Sequence, residues 1–406
     1  MKCRHCGEIP QHRFLDLGFA PPSNAYLTAG DLSRPEKYYP LRLDVCHTCW
    51  LVQTEDYADA TELFDAEYAY FSSTSTSWLA HAAQYSRGMT LRLGLNQSSL
   101  VVEVASNDGY LLKNFVAAGI PCLGIEPTAG TAAAAKKLGI PVLQEFFGEA
   151  LGRRLAASKQ ADLIVGNNVY AHVPDINDFT RGLKALLKPT GCITLEFPHL
   201  LQLIVQTQFD TVYHEHFSYL SLYTVERIFA AAGLRVWQVD TLSTHGGSLR
   251  VYGCHAEDGR AQHPSVAAVR EQEREGGLRE LATYRAFQAR ANRVKDGLLA
   301  FLIEAKREGK TVAAYGAAAK GNTLLNYAGV KPDLLPFVCD AAVAKQNKFM
   351  PGSHIPIFAP TELAPRRPDY LLILPWNIAA EVRQQNAALA QQGTRFVTAV
   401  PELKIS

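Results

Sequence analysis

The sequence of 406 residues predicts an α/β protein with more than one domain. Three observations indicate this. Two CxxC pairs lie near the N-terminus, strand and helix patterns then alternate through the middle of the chain, and the alternation resumes near its end. A domain of ordinary size holds about 150 residues, so the length also indicates two or three domains. We expect parts bounded by residues 1–60, 61–256, 257–309 and 310–406.

The N-terminal part carries two CxxC pairs, and its composition is too irregular for burial alone to hold it together. Two such pairs offer four thiolates to a tetrahedral Zn²⁺ and leave no coordination position open. We therefore predict a zinc-binding domain over 1–60, with a structural metal and the ligands Cys3, Cys6, Cys46 and Cys49. His5 and His47 stand inside the two CxxC loops and are alternative ligands.

The part from 61 to 256 alternates apolar strand patterns with Ala- and Leu-rich helical patterns. Because parallel strands need long crossover connections, this alternation predicts a mainly parallel sheet with helices on both faces. The candidate strands are 100–104, 122–126, 161–168, 191–197, 234–240 and 248–253, and the candidate helices include 131–139 and 178–189.

Residues 257–309 are charged and helix-forming, which predicts one long or broken helix that links two domains. The last part, 310–406, predicts a second and smaller α/β unit. Its candidate strands are 311–318, 335–340, 369–375 and 394–402.

Charge and hydropathy restrict the partners. Lys and Arg number 40 against 39 Asp and Glu, so no global field would hold a polyanion, and we expect no nucleic-acid partner. No apolar run approaches the roughly 20 residues of a membrane helix, and the N-terminus MKCRHCGEIP has no apolar signal core. We expect a cytoplasmic monomer with no membrane partner.

A nucleotide-binding turn follows the first strand of the central part. In VVEVASNDGYLL (101–112), a strand passes through a Ser-Asn-Asp-Gly turn into a helix, so backbone N–H groups can face a ligand. Ala105 stands where a dinucleotide fingerprint has its first glycine. Glu126 ends the next strand, where an acid accepts hydrogen bonds from ribose hydroxyls. Phe146 and Phe147 follow as candidates for stacking on an adenine.

Polar residues also follow the strand 161–168, where open α/β sheets bind their ligands. Asn167, Asn168 and His172 are therefore candidate site residues. In HGGSLRVY (245–252), a Gly-Gly-Ser turn enters a strand. Such a backbone either approaches a phosphate or sugar closely or forms a plain hairpin turn.

The densest polar cluster lies in FDTVYHEHFSYLSL (209–222), where Tyr213, His214, Glu215 and His216 are consecutive. A Glu beside a His can fix the imidazole tautomer and raise its basicity, which predicts acid–base chemistry. The two His are spaced by two residues rather than four, unlike HExxH, so we expect no catalytic metal here.

These motifs together resemble the S-adenosylmethionine-dependent nucleotide-sugar C-methyltransferases, in particular those that act at C-3 of dTDP-4-keto-deoxysugars. The resemblance covers the whole chain and includes DTVYHEHFSY, GGSLR and YGAAAKGNTLLNY (315–327) in the family's order. It implies an N-terminal zinc-binding domain, a central Rossmann-like methyltransferase domain and a C-terminal Rossmann-like α/β domain for the nucleotide sugar. S-adenosylmethionine and structural Zn²⁺ are the implied cofactors.

The resemblance also implies the chemistry. His216 matches the base that removes a proton next to a C-4 ketone, and the resulting enolate takes up the methyl group. The implied catalytic residues are His216, Glu215, Tyr213, His172 and Tyr68.

Motifs and resemblance together predict the binding residues. For the cofactor they are Glu103, Ala105, Asn107, Asp108, Gly109, Glu126, Pro127, Phe146, Asn167 and Asn168. For the nucleotide sugar they are Ser23, Asn24, Tyr26, Tyr70, Ser248, Arg250, Lys320 and Asn322. GAAAKGN (316–322) follows a strand and opens a helix, which predicts a pyrophosphate cradle to which Lys320 adds charge.

Two other functions stay open at this point. An NAD(P)-dependent oxidoreductase acting on a nucleotide sugar would use one α/β domain, with Asp340 as a ribose acid, but GxGxxG is missing after residue 104. A nucleic-acid-binding zinc ribbon is disfavoured, because residues 1–60 hold only five Lys or Arg outside the CxxC loops. C-3 or C-5 methylation, a 3-amino or 3-hydroxyl sugar, and dTDP, GDP or CDP all remain possible.

Overall fold

The computed structural model describes residues 1–55, 57 and 71–406. Its strands are β1 (His12–Ala20), β2 (Tyr39–Val45), β3 (Val52–Thr54), β4 (Val101–Val104), β5 (Cys122–Ile125), β6 (Val142–Leu143), β7 (Ala161–Asn167), β8 (Leu187–Pro198), β9 (Ser218–Tyr219), β10 (Leu234–Leu242), β11 (Ser248–His255), β12 (Val312–Tyr315), β13 (Val338–Cys339), β14 (Ile357–Phe358), β15 (Tyr370–Ile373), β16 (Arg395–Thr398) and β17 (Lys404–Ile405).

The helices connect these strands and cover the sheets. They are α1 (Thr76–Leu93), α2 (Leu112–Ala117), α3 (Ala129–Lys137), α4 (Glu149–Ala156), α5 (Ile176–Leu186), α6 (Leu200–Val205), α7 (Leu222–Ala231), α8 (Pro264–Glu275), α9 (Leu281–Arg285), α10 (Phe287–Arg307), α11 (Ala319–Ala328), α12 (Leu363–Arg366), α13 (Ala379–Gln385) and α14 (Ala387–Gln391).

Local capping explains where several helices begin and end. The side chains of Ser75 and Asp175 accept hydrogen bonds from backbone N–H groups in the first turns of α1 and α5. These bonds satisfy donors that a helix start leaves open. Helix α1 then ends at Gly94, whose φ of +62° is the left-handed conformation that favours glycine.

The central sheet has seven strands in the order β10-β11-β8-β7-β4-β5-β6. Strands β4 to β8 pair in parallel, and β11 runs antiparallel to both β8 and β10. The predicted mainly parallel sheet is thus confirmed. The antiparallel strand arises because β10 and β11 form a hairpin, whose loop carries the HGG segment.

The N-terminal sheet is antiparallel, in the order β1-β2-β3-β9. Its fourth strand, β9, comes from far along the chain, directly after the Tyr-His-Glu-His segment. The pairs Val52↔Tyr219 and Gln53↔Ser218 join β3 to it. The zinc-binding part is therefore hydrogen-bonded to the segment that carries the predicted base.

The C-terminal sheet has the order β14-β13-β12-β15-β16-β17, parallel except for β17. Three helices, α8 to α10, precede this sheet in the chain. Helix α10 packs on the N-terminal sheet, because Phe14 of β1 stacks on Phe287 of this helix with ring centroids 4.8 Å apart. One buried apolar cluster contains residues of the N-terminal sheet, α10 and the C-terminal sheet.

Among the described residues, no helix combines the length and the apolar composition that crossing a bilayer requires.

Candidate active site

A cavity of about 420 Å³ is lined by residues of the N-terminal, central and C-terminal parts of the chain. Its walls come from the loops after β4, β5 and β7, from the Tyr-His-Glu-His segment and from the start of α11. The predicted residues that line it are Asn24, Ala105, Asn107, Glu126, Pro127, Phe146, Asn167, Asn168, His172, Tyr213, Glu215, His216 and Lys320. Residues predicted to bind the cofactor and residues predicted to bind the sugar therefore line the same cavity.

The turn after β4 is held in an unusual backbone conformation. Ala105 and Asn107 have φ of +57° and +49°, a region that residues with a Cβ rarely adopt. The carboxylate of Glu126 stabilises the turn by accepting a hydrogen bond from the Asn107 N–H at 2.9 Å, and it also accepts one from the Thr128 N–H at 2.9 Å. Glu126 is buried at the rim of the cavity, where ribose hydroxyls can add to these bonds.

The segment before α1 closes the same turn from outside. The side-chain oxygen of Asn107 accepts a hydrogen bond from the Ser72 N–H at 2.9 Å, and the carboxylate of Asp108 accepts one from the Ser73 N–H at 3.1 Å. Asp108 thus shapes the turn and lies outside the described cavity lining. Gly109 also lies outside it, and a Cβ there would stand 2.4 Å from Ile140 Cδ1.

Two asparagines at the end of β7 face the cavity. The Asn167 side chain donates to the Tyr110 hydroxyl at 3.2 Å, and the Asn168 side chain donates to His245 Nε2 at 2.9 Å. In the described part of the chain, both Oδ1 atoms are buried with no hydrogen-bond partner. Buried acceptors of this kind suit a ligand with polar hydrogens, such as an amino-acid or ribose group.

The predicted base His216 lies at the opposite wall. Its Nδ1 is 3.0 Å from the carbonyl oxygen of Thr211. A carbonyl only accepts, so Nδ1 carries the proton and Nε2 keeps the lone pair of the neutral ring. Burial lowers the pKa of His216 well below its usual range, and the neighbouring His172 lowers it further.

Two more predicted catalytic side chains touch the His216 ring. The Tyr213 ring lies 4.0 Å from it, and the His172 ring lies 4.6 Å from it, both measured between centroids. Burial also lowers the pKa of His172, to about 4. Both imidazoles are therefore neutral near pH 7, and each can accept a hydrogen bond at one ring nitrogen and donate one at the other.

Glu215 connects this cluster to the N-terminal part. Its carboxylate accepts a hydrogen bond from the Asn24 side chain at 2.7 Å. Tyr26 lies two residues after Asn24, and its hydroxyl donates to the carbonyl oxygen of Ala317, just before α11. The segment that holds Asn24 and Tyr26 thus bridges the proposed base region and the C-terminal part.

The start of α11 supplies positive charge. Lys320 donates to the Asn377 side chain at 2.7 Å, and its ammonium lies 4.8 Å from the centroid of the Trp376 ring. Burial lowers the pKa of Lys320, which Asp210 partly offsets. The buried Asp210 in turn accepts a hydrogen bond from the Trp376 indole at 2.7 Å, and burial raises its pKa to about 6.

The four N-terminal cysteines form one cluster. Their sulfur atoms all lie within 4.8 Å of one another, and the pairs Cys3–Cys49 and Cys6–Cys46 are 3.4 and 3.5 Å apart. Four thiolates at about 2.3 Å from a tetrahedral zinc would stand about 3.8 Å apart, so this donor set fits the ion. His5 instead contacts the Asn177 side chain at 2.9 Å, so it takes no part in the cluster.

Comparison with known proteins decides the class. The "C-methyltransferase NovU" of Streptomyces niveus is 35% identical over 405 residues, which cover 100% of this chain and 96% of that protein. This chain belongs to the same family of C-methyltransferases. Three family descriptions match successive parts: "Putative zinc binding domain" at residues 3–64, "Methyltransferase domain" at 76–239 and "C-methyltransferase C-terminal domain" at 243–401.

Solved structures resemble part of this C-methyltransferase. The magnesium protoporphyrin IX methyltransferase of Synechocystis with bound SAH has a TM-score of 0.36 at 14% identity, covering 44% of this chain and 83% of its own. A methyltransferase of Clostridium acetobutylicum has a TM-score of 0.35 at 9% identity, covering 44% and 92%. TM-scores this low decide nothing further.

The methyltransferase domain indicates that S-adenosylmethionine is the methyl donor. The N-terminal cysteine cluster is a zinc-binding site. These two cofactors, predicted from the sequence, are thus confirmed. The family also decides between the two enzyme classes that the sequence left open, in favour of methyl transfer and against the nicotinamide-dependent oxidoreductase.

Several predicted residues of the C-methyltransferase have other contacts. Asn322 donates to the carbonyl oxygen of Ser23 at 2.7 Å, so this pair joins α11 to the N-terminal part outside the described cavity lining. Glu103 is fully buried within β4, and burial raises its pKa well above the usual range. Tyr68 and Tyr70 lie outside the described residues.

Arg250 and Ser248 also lie outside the described cavity lining. The Arg250 guanidinium donates to the Glu196 carboxylate at 2.6 Å and lies 4.6 Å from the centroid of the Tyr85 ring, and Ser248 donates to the carbonyl oxygen of Thr244. The structure thus places Arg250 in a buried ion pair rather than at the described cavity wall. An alternating strand pattern could not reveal which face Arg250 occupies.

Sequence reasoning did not single out several other residues that line the cavity, among them Trp78, Tyr110, His245, Lys345 and Asn377. His245 stands within the HGG segment and has φ of +54°. That turn was a usable signal, but no motif marks the isolated Lys345.

Proposed function

We propose that this C-methyltransferase methylates C-3 of a 4-keto-deoxysugar linked to a nucleoside diphosphate, which we take to be dTDP. His216 is the proposed base. The observation that supports it is the placement of His216. Its ring lines the same cavity as the cofactor turn, and the Thr211 carbonyl holds the proton on Nδ1. Nε2 is then the acceptor available to a substrate.

The proton balance follows from this tautomer. A C-4 ketone acidifies the C-3 hydrogen, and Nε2 takes that proton as the C–H electron pair moves toward the ketone oxygen. His216 becomes an imidazolium while the sugar becomes an enolate, so opposite charges form side by side. When bound, S-adenosylmethionine would supply an electrophilic methyl group to C-3 of the enolate, and the electron pair of the broken S–CH3 bond would stay on sulfur in the leaving S-adenosylhomocysteine.

Tyr213 and His172 would stabilise the enolate oxygen. Both contact the His216 ring, and both line the cavity. A neutral imidazole and a phenol can donate hydrogen bonds to a forming oxyanion in an enclosed site, where such bonds are strong. Glu215, whose carboxylate accepts a hydrogen bond from Asn24, lines the same cavity and would support this cluster.

The start of α11 would bind the diphosphate. Ala318, Ala319 and Lys320 line the cavity, and the residue before the helix, Ala318, offers no side-chain cap. The first N–H groups of α11 and the positive end of its dipole therefore favour an anion. We further propose that the protein acts in the cytoplasm as a monomer.

Hydrogen exchange at C-3 tests the base directly. A dTDP-4-keto-6-deoxyhexose is incubated in D₂O with S-adenosylhomocysteine and each variant, and loss of the C-3 proton is followed by NMR. His216→Asn should bind S-adenosylhomocysteine normally yet lose exchange and turnover. His214→Asn is the matched control, because His214 is buried in the same segment with its ring 5.9 Å from that of Tyr39.

The control should retain exchange, since it removes no group from the described cavity lining. If His216→Asn exchanged and methylated at the wild-type rate, His216 would not be the base. Exchange at C-5 in place of C-3 would indicate that C-5 is the methylated carbon, with His216 still the base.

A further inference from the structure

The two residues between Cys3 and Cys6 face the central part of the chain. The Arg4 guanidinium lies 4.8 Å from the centroid of the Phe217 ring, and its Nη1 donates to the carbonyl oxygen of Pro174 at 2.9 Å. Phe217 directly follows His216, and Pro174 stands two residues after His172. One side chain thus contacts both segments that carry the histidine pair.

The same two segments are joined to each other beneath Arg4. The Phe217 N–H donates to the carbonyl oxygen of Ala171 at 2.8 Å. The chain neighbours of His172 and His216 therefore move together, and Arg4 covers the point where they meet. Phe217 is buried, so the guanidinium packs against a ring with little freedom of its own.

Backbone contacts fix Arg4 from the zinc side. Its N–H donates to the Gln53 side chain at 2.9 Å, and the Gln53 amide donates back to the carbonyl oxygen of Lys2 at 3.1 Å. Gln53 belongs to β3, and Thr54 Oγ1 of the same strand donates to the His216 carbonyl oxygen at 3.1 Å. The loop between the cysteines thus contacts the His216 segment by two routes.

Asn177 completes the contact from the start of α5. Its side-chain amide donates to the carbonyl oxygens of Arg4 and His5 at 3.2 and 2.8 Å, and its Oδ1 contacts His5 Nδ1 at 2.9 Å. These bonds use the main chain of the CRHC loop, whose shape the two thiolates hold when zinc is bound.

We propose that Arg4 is a positioning residue that couples the zinc-binding loop Cys3–Cys6 to the His172–His216 pair. This inference rests on the proposed role of His216 as the base. Zinc fixes the loop, the loop fixes the guanidinium, and the guanidinium sets the spacing of the two histidine segments. A small displacement of a base costs a large factor in rate, so this spacing bears on turnover.

The test uses the full-length zinc-loaded protein with S-adenosylhomocysteine bound. Ring resonances of [¹⁵N]histidine report the pair without substrate, and His172→Asn and His216→Asn assign the two signals. We expect Arg4→Ala to keep its zinc and its affinity for S-adenosylhomocysteine but to shift both signals. Its kcat and C-3 exchange should fall roughly 10- to 100-fold with little change in KM.

Arg42→Ala is the matched control. It removes a guanidinium that lies 5.6 Å from the centroid of the Phe19 ring in the same N-terminal sheet. Both histidine signals and exchange should stay at the wild-type values in this variant.

Asn177→Ala is the second variant, because it weakens the same contact without altering the zinc-binding segment. Asn177→Ala should shift the His172 and His216 signals in the same direction as Arg4→Ala does. If Arg4→Ala loses its zinc, Asn177→Ala becomes the variant that tests the inference. Unchanged signals and exchange in the zinc-loaded variants would overturn the inference, as would loss of zinc from both. If His216→Asn also retained exchange, the proposed base itself would fail, which is a separate result.

Discussion

The imidazole rings of His172 and His216 meet edge to face, with centroids 4.6 Å apart and planes inclined by 75°. Protonating either ring would place a positive charge against its neighbour in a buried site. The pair therefore stays neutral at physiological pH, which is the state that a base and a hydrogen-bond donor require.

Because the two rings are neutral in the folded chain, the free energy of unfolding should fall at acid pH. His172 has a pKa of about 4 in the folded chain against an ordinary value near 6.5, so only the unfolded chain takes up this proton between those pH values. The stability that the neutral ring contributes is present above pH 6.5 and is lost as pH falls toward 4. We expect this one residue to account for a loss of about 3 kcal/mol at most.

Urea unfolding at pH 6.5, 5.5 and 4.5 measures that loss. His172→Gln should lower the slope of stability against pH. Equal slopes in His172→Gln and the wild type would show that His172 takes up its proton equally in both states.

Zinc removal should destabilise the N-terminal sheet. Cys46→Ser deletes one of four clustered thiolates, and a structural zinc site contributes its binding energy to folding. We expect loss of bound zinc and a lower Tm, measured by metal analysis and thermal unfolding. Cys122→Ser, in β5 and outside the cluster, should keep its zinc, and a Cys46→Ser protein with full zinc would contradict the site.

Gly109 should be intolerant of a side chain. Its φ is +80°, and a Cβ would meet Ile140 Cδ1 at 2.4 Å. Gly119 has φ of +69° but open space around it, so Gly119→Ala incurs only the backbone strain of about 1–2 kcal/mol. Gly109→Ala should unfold more easily than Gly119→Ala and bind S-adenosylhomocysteine more weakly by titration calorimetry. Equal effects would mean that the turn after β4 can adjust.

Arg250 and Lys320 should behave oppositely when the charge is removed. Arg250→Met removes the guanidinium from the buried Glu196 carboxylate and leaves it only His81 and Thr244 as side-chain partners. This should cost less than the roughly 3–5 kcal/mol of a fully unpaired buried charge, with KM for the nucleotide sugar unchanged in the folded fraction. Lys320→Met should raise KM for the nucleotide sugar, because it removes a cation from the cavity wall. A raised KM without destabilisation in Arg250→Met would instead support the sequence-based prediction that Arg250 binds the substrate.

Local patterns predicted much of this molecule. The CxxC spacing placed four sulfurs in one cluster, and the turn from Ala105 to Gly109 with Glu126 on the next strand has the contacts expected of neighbours along a parallel sheet. These features depend on residues close in sequence or on adjacent strands, where periodicity is informative.

Long-range contacts were not predictable in this way. The two-residue strand β9 pairs with β3, about 165 residues earlier, and neither segment has a periodic pattern long enough to indicate it. The face of β11 that Arg250 occupies depends on Glu196 in β8, and Lys345 reaches the cavity through the tertiary fold alone. The division of the chain at residues 60, 256 and 309 stays a prediction.

Identification of the product tests the proposed function most directly. The zinc-loaded protein is incubated with [methyl-¹³C]S-adenosylmethionine and a dTDP-4-keto-6-deoxyhexose, and the product is analysed by NMR. We predict one ¹³C methyl group bonded to C-3 of the sugar, formed by the wild type and absent with His216→Asn. A methyl group on oxygen or nitrogen, or no transfer to any 4-keto nucleotide sugar with dTDP, GDP or CDP, would contradict the proposal.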